Sequence, residues 1–530
     1  MSMSKWKLQV LVVLSYLTWT ISIIIGLIGY ILHWFIFDLF SRKKPKCKWT
    51  ISDSEDEYYA IIIGARFSGL GMGIKLKEMN MNKFLILERH SHVGVDIPSN
   101  LYSYSFEINP QWSHQYSRQN ELAEYLEACT DKYHIRSHIQ FNTTVIQCNW
   151  IDERQLWQVT TNDKKLYYGR YLIGAYGLLS NASYPKDIEG LESFQGEMCH
   201  TAEWNDKINF QGKRIAVIGT GSSAIQCIPE LHKNYNISHL YVFQRTPPWV
   251  TYSKNRTLTQ LEKKLFTFIP CIQKFLRACT YWRLESTVLS FVYRLPIRFI
   301  AQKLVRYLFF YQVKDPMLRE KLMPKSDFGC KRILLSNDWY STIQQSNVNL
   351  ITNRIKQIKS NSIVTYDGNE YEIDIIIWAT GYNVHSVHIP MFGIQSQSLE
   401  KQWSQTVQAY RGITVPNFPN MFLLLGPNTG LGHNSVVVMI EAQLKYIMEA
   451  LIYMQENGIR AMTVKENIAN KFNKEIQLKL KKSVCQVGGC HSWYQDSKGN
   501  NTTIWPGFTW TYDLLLRNFD YQNYDMISTI

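Results

Sequence analysis

Two short stretches put glycine where a backbone has to approach an anion. "IIIGARFSGLG" follows an apolar, β-branched run, and "VIGTGSSA" does so again later in the chain. A G-x-G-x-x-G loop at a strand-to-helix junction holds a dinucleotide pyrophosphate: the first glycine turns the chain, the second admits the phosphate, and the third small residue packs helix on strand. The second stretch keeps this spacing with Gly219, Gly221 and Ala224, and Ser222 and Ser223 open a helix whose N–H groups face the phosphates. The first keeps Gly64 and Gly69 but carries Arg66 between them. A side chain there removes phosphate contact and is expected to add backbone strain on the order of 1 to 3 kcal/mol, partly offset if the guanidinium pairs with phosphate.

Each loop has a ribose end. Glu88 closes the strand "KFLILER" about twenty residues after the first loop, where a carboxylate accepts hydrogen bonds from an adenosine ribose. Arg245 and Thr246 occupy the matching place after the second loop, with no acid on the strand end, which favours a 2'-phosphate and therefore NADPH over NADH.

Positioning these residues takes strand–helix–strand units, so the fold class expected is α/β with two Rossmann-like dinucleotide-binding domains and a helical portion. Strands are expected at 58–65, 83–89, 348–351 and in "EIDIIIWATG", and helices at 67–80, 435–454 and across "KENIANKFNKEIQLKLKK". Residues 257–325 are rich in Arg, Phe, Tyr, Leu and Trp, broken by Pro270, Pro296 and Pro316, and should form several helices. Faces of that composition either pack in a core with solvated lysines or lie on a membrane. Domain boundaries are expected at 1–41 for an anchor, 42–57 for a charged linker, 58–205 for the first part of an FAD domain, 206–375 for an NADP domain with helical insert, and 376–530 for the rest of the FAD domain.

From Leu8 to Ser41 the ionisable side chains are His33, Asp38 and tyrosines, in a stretch longer than the roughly 20 residues that cross a bilayer. One N-terminal transmembrane helix is expected. Arg42, Lys43, Lys44, Lys46 and Lys48 follow it and outnumber the preceding Lys5 and Lys7, so the catalytic part should face cytosol, with the endoplasmic reticulum as the membrane. On that topology the six Asn-x-Ser/Thr sequons stay silent. The net charge of +14 is scattered and no nucleic-acid motif accompanies it, so nucleic acid is not an expected partner. Ten cysteines without Cys-x-x-Cys spacing indicate neither a metal site nor a disulfide framework, and Cys485 and Cys490 read as ordinary thiols of a reducing compartment.

"FQGEMCHTAEW" sets Phe194, Gly196, His200, Thr201 and Trp204 in register with F-x-G-x-x-x-H-T-x-x-W. With "DIIIWATGYN", "GITVPNFPNMFLLLGPNTGLGHNS" and "NTTIWPGFTW", the chain from Tyr58 to Tyr512 resembles the Baeyer-Villiger monooxygenases, class B flavin enzymes related to flavin-containing monooxygenases. The resemblance implies a flavoprotein using FAD, NADPH and O2 to convert an apolar ketone or aldehyde into an ester or lactone. It aligns Arg332 in "DFGCKRILL" with an active-site arginine that steadies negative charge, Lys331 with a lysine on the NADP 2'-phosphate, and Asp96 with the aspartate that orients the arginine. The resemblance further implies that His200, in the fingerprint loop, helps coordinate NADPH binding with catalysis, and that Thr380 and Gly381 of "WATG" lie at the hinge between the two cofactor domains.

The chain departs from the family twice in one lobe, at Arg66 and where Gly94, Val95 and Asp96 are consecutive although relatives insert a segment covering the flavin. A third departure, Tyr176 where Ala-Thr-Gly is usual, touches the hinge between the FAD and NADP domains. Four readings stay open: an impaired Baeyer-Villiger enzyme, an N- or S-oxygenating flavin monooxygenase, a silent membrane-bound nucleotide-binding homologue, and a transcript lacking one segment. Oligomeric state is not legible.

Overall fold

The computed structural model describes residues 57–89, 98–253, 255–293 and 297–528. The expected membrane helix, nearly all of the linker after it, and Asp96 lie outside the described residues. Among the described residues no helix is long and apolar enough to cross a membrane.

Among the described residues the first sheet has eight strands. β1 (Glu57–Ile63) sits in its middle between β2 (Phe84–Leu87) and β3 (Leu166–Gly174), parallel to both. Being covered on both faces, β1 and β2 read as continuous apolar runs and not as an alternating pattern. Beyond β3 come Leu156–Thr161, Val145–Ile151 and Met391–Phe392, beyond β2 comes Ile139–Gln140, and Met421–Leu423 also pairs with β3. The second sheet is entirely parallel. Its strands are β4 (Glu197–His200), β5 (Arg214–Ile218), β6 (His239–Phe243), β7 (Val348–Ile351) and β8 (Ile375–Trp378), in the spatial order β7, β6, β5, β8, β4. Strands from just outside the 206–375 span, β4 and most of β8, thus complete the second sheet.

Helix α1 (Phe67–Glu78) carries three glycines and is intrinsically weak. Packing holds it. A Cβ at Gly71 would stand 2.9 Å from Leu444 of a second buried helix, so close approach of the two backbones replaces propensity. That partner is Val436–Glu456, apolar around most of its circumference and started by Ser435, whose side chain accepts from the Val437 N–H. Helix α2 (Ser222–Asn234) follows β5, and the helical portion contains Gln260–Phe268, α3 (Pro270–Glu285), α4 (Ile297–Gln312) and Pro316–Leu322.

One expectation is corrected at this level. Cys490 is no ordinary thiol, because it forms a disulfide with Cys330 across 160 residues. Local spacing carries no trace of a partner that only the fold brings near. Cys485, by contrast, is a buried free thiol whose pKa burial raises to about 11.

Candidate cofactor and active site

Both glycine loops lie at the carboxyl ends of central strands, β1 and β5, where an open parallel sheet places its ligand crevice. At Gly64 φ is +105°, and a Cβ would meet the Ala175 carbonyl oxygen at 2.7 Å. Gly219 repeats this, with φ +114° and the Ala379 carbonyl oxygen at 2.5 Å. Only glycine suits either turn. At Gly69 a Cβ would come within 1.8 Å of the Gly64 carbonyl oxygen, whereas the second loop has room for Ala224, which is fully buried.

Arg66 overturns the expected strain. Its φ of −84° and ψ of −166° are extended backbone that any residue adopts, and they nearly coincide with −77° and −170° at Gly221. The middle position therefore asks for glycine only because of what must approach it. Around Gly221 a Cβ would meet nothing within 4 Å, leaving the space a pyrophosphate needs. At Arg66 a side chain occupies the corresponding direction, and its charge lies near Tyr382, whose hydroxyl pKa is raised by burial and drawn back by Arg66.

Glu88 is buried, and its Oε2 accepts a 2.7 Å hydrogen bond from the Ala65 N–H, fixing the carboxylate against the first loop. Gly64 and Gly69 with Glu88 fit an FAD adenosine diphosphate end. On the second sheet, Lys331 Nζ donates to Thr246 Oγ1 at 3.0 Å. Burial lowers the Lys331 pKa, and the nearby Arg245 lowers it further. Two cations and a hydroxyl gathered at one strand end, at a cost to each other, form a site for a doubly charged anion. These residues fit NADPH.

Arg332 follows Lys331 and lies near Tyr494, whose hydroxyl is pushed up by burial while Arg332 acts against that shift. The loop carrying both cations is tied down twice, by the Cys330–Cys490 disulfide and by the Asp327 N–H donating to the Gly488 carbonyl at 2.9 Å.

His200 ends β4 and is buried. Its Nδ1 accepts from the Ala202 N–H at 3.0 Å, which leaves the proton of the neutral ring on Nε2. Burial lowers its pKa, outweighing Glu203 and the Gly381 backbone. The rings of Tyr184 and Tyr382 lie 5.2 and 6.1 Å away. The Thr201 N–H donates to the Trp378 carbonyl at 2.9 Å, Thr380 Oγ1 to the Ser183 carbonyl, and Gly381 takes φ +88°. The fingerprint loop and "WATG" thus join at one crossover. Tyr176 is half-buried and stands edge-on to His388, with ring centres 5.8 Å apart.

The structure also reveals a hub that periodicity hid. Glu285, fully buried at the end of α3, accepts from Asn434 Nδ2 and Thr509 Oγ1, both at 2.7 Å, and from the Thr509 N–H at 2.9 Å, with His433 Nε2 at 3.3 Å. It ties the helical portion to "GLGHNS" and "GFTW". The available signal was a lone acid in an aromatic, basic helix.

Two glycine loops at the ends of central parallel strands in one α/β chain, the second with Arg245, Thr246 and Lys331 beside it, are the arrangement of a two-cofactor oxidoreductase. Residues 99–487 match the family described as flavin-binding monooxygenase-like, beginning beyond the first glycine loop. A Baeyer-Villiger monooxygenase of Pseudomonas aeruginosa is 39% identical over 484 residues, covering 88% of this chain and 91% of that protein. Among solved structures, cyclohexanone monooxygenase from Rhodococcus sp. Phi1 bound to NADP+ superposes with TM-score 0.79 at 26% identity, covering 90% of this chain and 100% of that one. OTEMO in complex with FAD and NADP gives TM-score 0.79 at 26% identity, over 89% and 99% of the two chains. The chain belongs to the flavin-binding monooxygenase-like family, and it is a Baeyer-Villiger-type monooxygenase working with FAD and NADPH.

Proposed function

We propose that this chain inserts one oxygen atom of O2 beside the carbonyl of a small apolar ketone or aldehyde, with Arg332 as the fixed cation of the reaction. FAD, when bound, activates the O2, and NADPH supplies the reducing equivalents. The observation that supports the reading is the Arg245–Thr246–Lys331 cluster, in which Lys331 donates to the Thr246 hydroxyl while the next residue, Arg332, lies beside Tyr494. A guanidinium keeps its charge throughout, and on a loop tied by the Cys330–Cys490 bridge it stabilises developing negative charge without reorganising. Asp96 is its proposed orienting partner. His200, neutral at pH 7 with its proton on Nε2, is proposed to couple nicotinamide placement to the "WATG" crossover. Gly64, Gly69 and Glu88 hold the FAD adenosine diphosphate, and Gly219, Gly221, Ser222, Ser223 and Ala224 hold that of NADPH. Arg66 weakens flavin retention without abolishing it.

Incubation with NADPH, FAD and either a cyclic ketone or a thioether tests the reading. An ester or lactone from the ketone is the expected product, and sulfoxide as the sole product overturns it in favour of heteroatom oxygenation. Arg332→Ala should lower ester formation by at least about a hundredfold, the scale of losing one stabilising charge, while flavin reduction by NADPH continues. Ester formation at the parental rate refutes the role given to Arg332.

A further inference from the structure

Helix α4, Ile297–Gln312, is apolar on two sides. Its inner side is accounted for: Val305 packs with Trp249 and Phe328, Phe309 sits 5.2 Å from the Tyr340 ring, and the buried Arg298 is matched by Asp327 at 2.8 Å. Its outer side is not. Phe299, Ile300, Leu304, Tyr307, Phe310 and Tyr311 are exposed, Ile300 by 69% and Tyr311 by 65%, and Met317 just beyond is exposed by 74%. At 100° per residue the six fall on one stripe, together with the exposed Lys303 and Arg306.

A solvated helix turns a polar face outward, and this one turns aromatic and aliphatic side chains outward instead. The helix contains no Asp or Glu. Docking the face on the same face of a second copy would bring together two helices whose charged side chains are all cationic, with no acid in either to pair them. An anionic surface that accepts apolar side chains removes that conflict, and tyrosine and long cations are suited to an interface with apolar depth and charged rim. The stretch from Leu8 to Ser41, followed by five cations from Arg42 to Lys48, has the same combination of apolar length and positive charge at its edge.

We propose that the outer face of α4, continued by Met317, lies in the headgroup region of a bilayer containing anionic lipid. The side chains of Ile300, Leu304, Tyr307 and Tyr311 enter the interface, and Lys303 and Arg306 meet lipid phosphates or carboxylates. This contact is made by the globular part itself and does not rest on the monooxygenase reading.

The test is carbene footprinting of the full chain reconstituted in nanodiscs of phosphatidylcholine with or without phosphatidylserine. Labelling of Ile300, Leu304, Tyr307 and Tyr311 should fall severalfold in the phosphatidylserine discs relative to detergent, and less without the anionic lipid. The double variant I300E/Y311E should restore the labelling across the rest of α4 while NADPH binding stays at the parental affinity. Unchanged labelling of α4 in disc-bound protein means that the N-terminal segment alone holds the membrane, and overturns the proposal. Masking that arises without lipid and grows with protein concentration assigns the face to a second copy, and overturns it as well.

Discussion

At the scale of single residues, two positions separate what a side chain does to the backbone from what it does to a ligand. Arg66 leaves the loop conformation as glycine would have it, so its cost falls on the cofactor. Arg66→Gly should tighten FAD binding about tenfold, the scale of one recovered phosphate contact, read as flavin retained through gel filtration and by titration of the apoprotein. Equal or weaker retention would show that the guanidinium grips the pyrophosphate. Lys331 makes the opposite case, a charge held where burial and Arg245 disfavour it. Lys331→Met should raise KM for NADPH by about 10- to 100-fold, as expected for a charge-assisted bond, and leave NADH unaffected. On the proposed role of Lys331 only the charged lysine grips the phosphate, so that grip is complete below the Lys331 pKa and lost above it. Because that pKa lies below the usual 10.5, NADPH affinity should decline at lower pH than an exposed lysine would dictate, and NADH should show no such limb.

Among the elements, α3 and the segments it meets form the most consequential junction. Truncating Glu285 would strand the Asn434 amide and the Thr509 N–H in a buried site, while the Thr509 hydroxyl would keep the Tyr281 hydroxyl. Glu285→Ala should therefore cost roughly 3 to 5 kcal/mol, read as a fall in Tm, while Glu400→Ala on the exposed surface should change it little. A small effect at Glu285 would mean that water replaces the carboxylate. The glycine loops belong to this scale too. Periodicity and the two strand–helix–strand patterns made β1, α1, β2, β5 and α2 legible to within a few residues, because each element announces itself through local sequence. The Glu285 hub was not legible, since its partners lie 149 and 224 residues away in sequence.

For the whole molecule, the Cys330–Cys490 bridge connects the loop carrying Lys331 and Arg332 to the C-terminal region across 160 residues. Closing a loop of that length in the unfolded chain is worth up to about 5 kcal/mol in the chain-entropy description. Cys490→Ser should lower Tm under oxidising conditions, and a reductant should bring the parent protein down to the variant's value. A parent insensitive to reductant would mean that the two thiols are not joined in solution.

What the sequence determined by itself was the local chemistry. Glycines at fixed offsets, apolar runs and the residues at two strand ends mark two dinucleotide loops, because the interactions concerned span few residues, and the family resemblance supplied the roles expected of Lys331 and Arg332. The tertiary structure decided the rest. It alone brought Lys331 to Thr246, Arg332 to Tyr494 and Cys330 to Cys490. It also showed that Arg66 carries no backbone strain and that α4 turns an apolar face outward. Composition and spacing report what a side chain is, while its partners and exposure depend on chain segments that meet only when the sheets close.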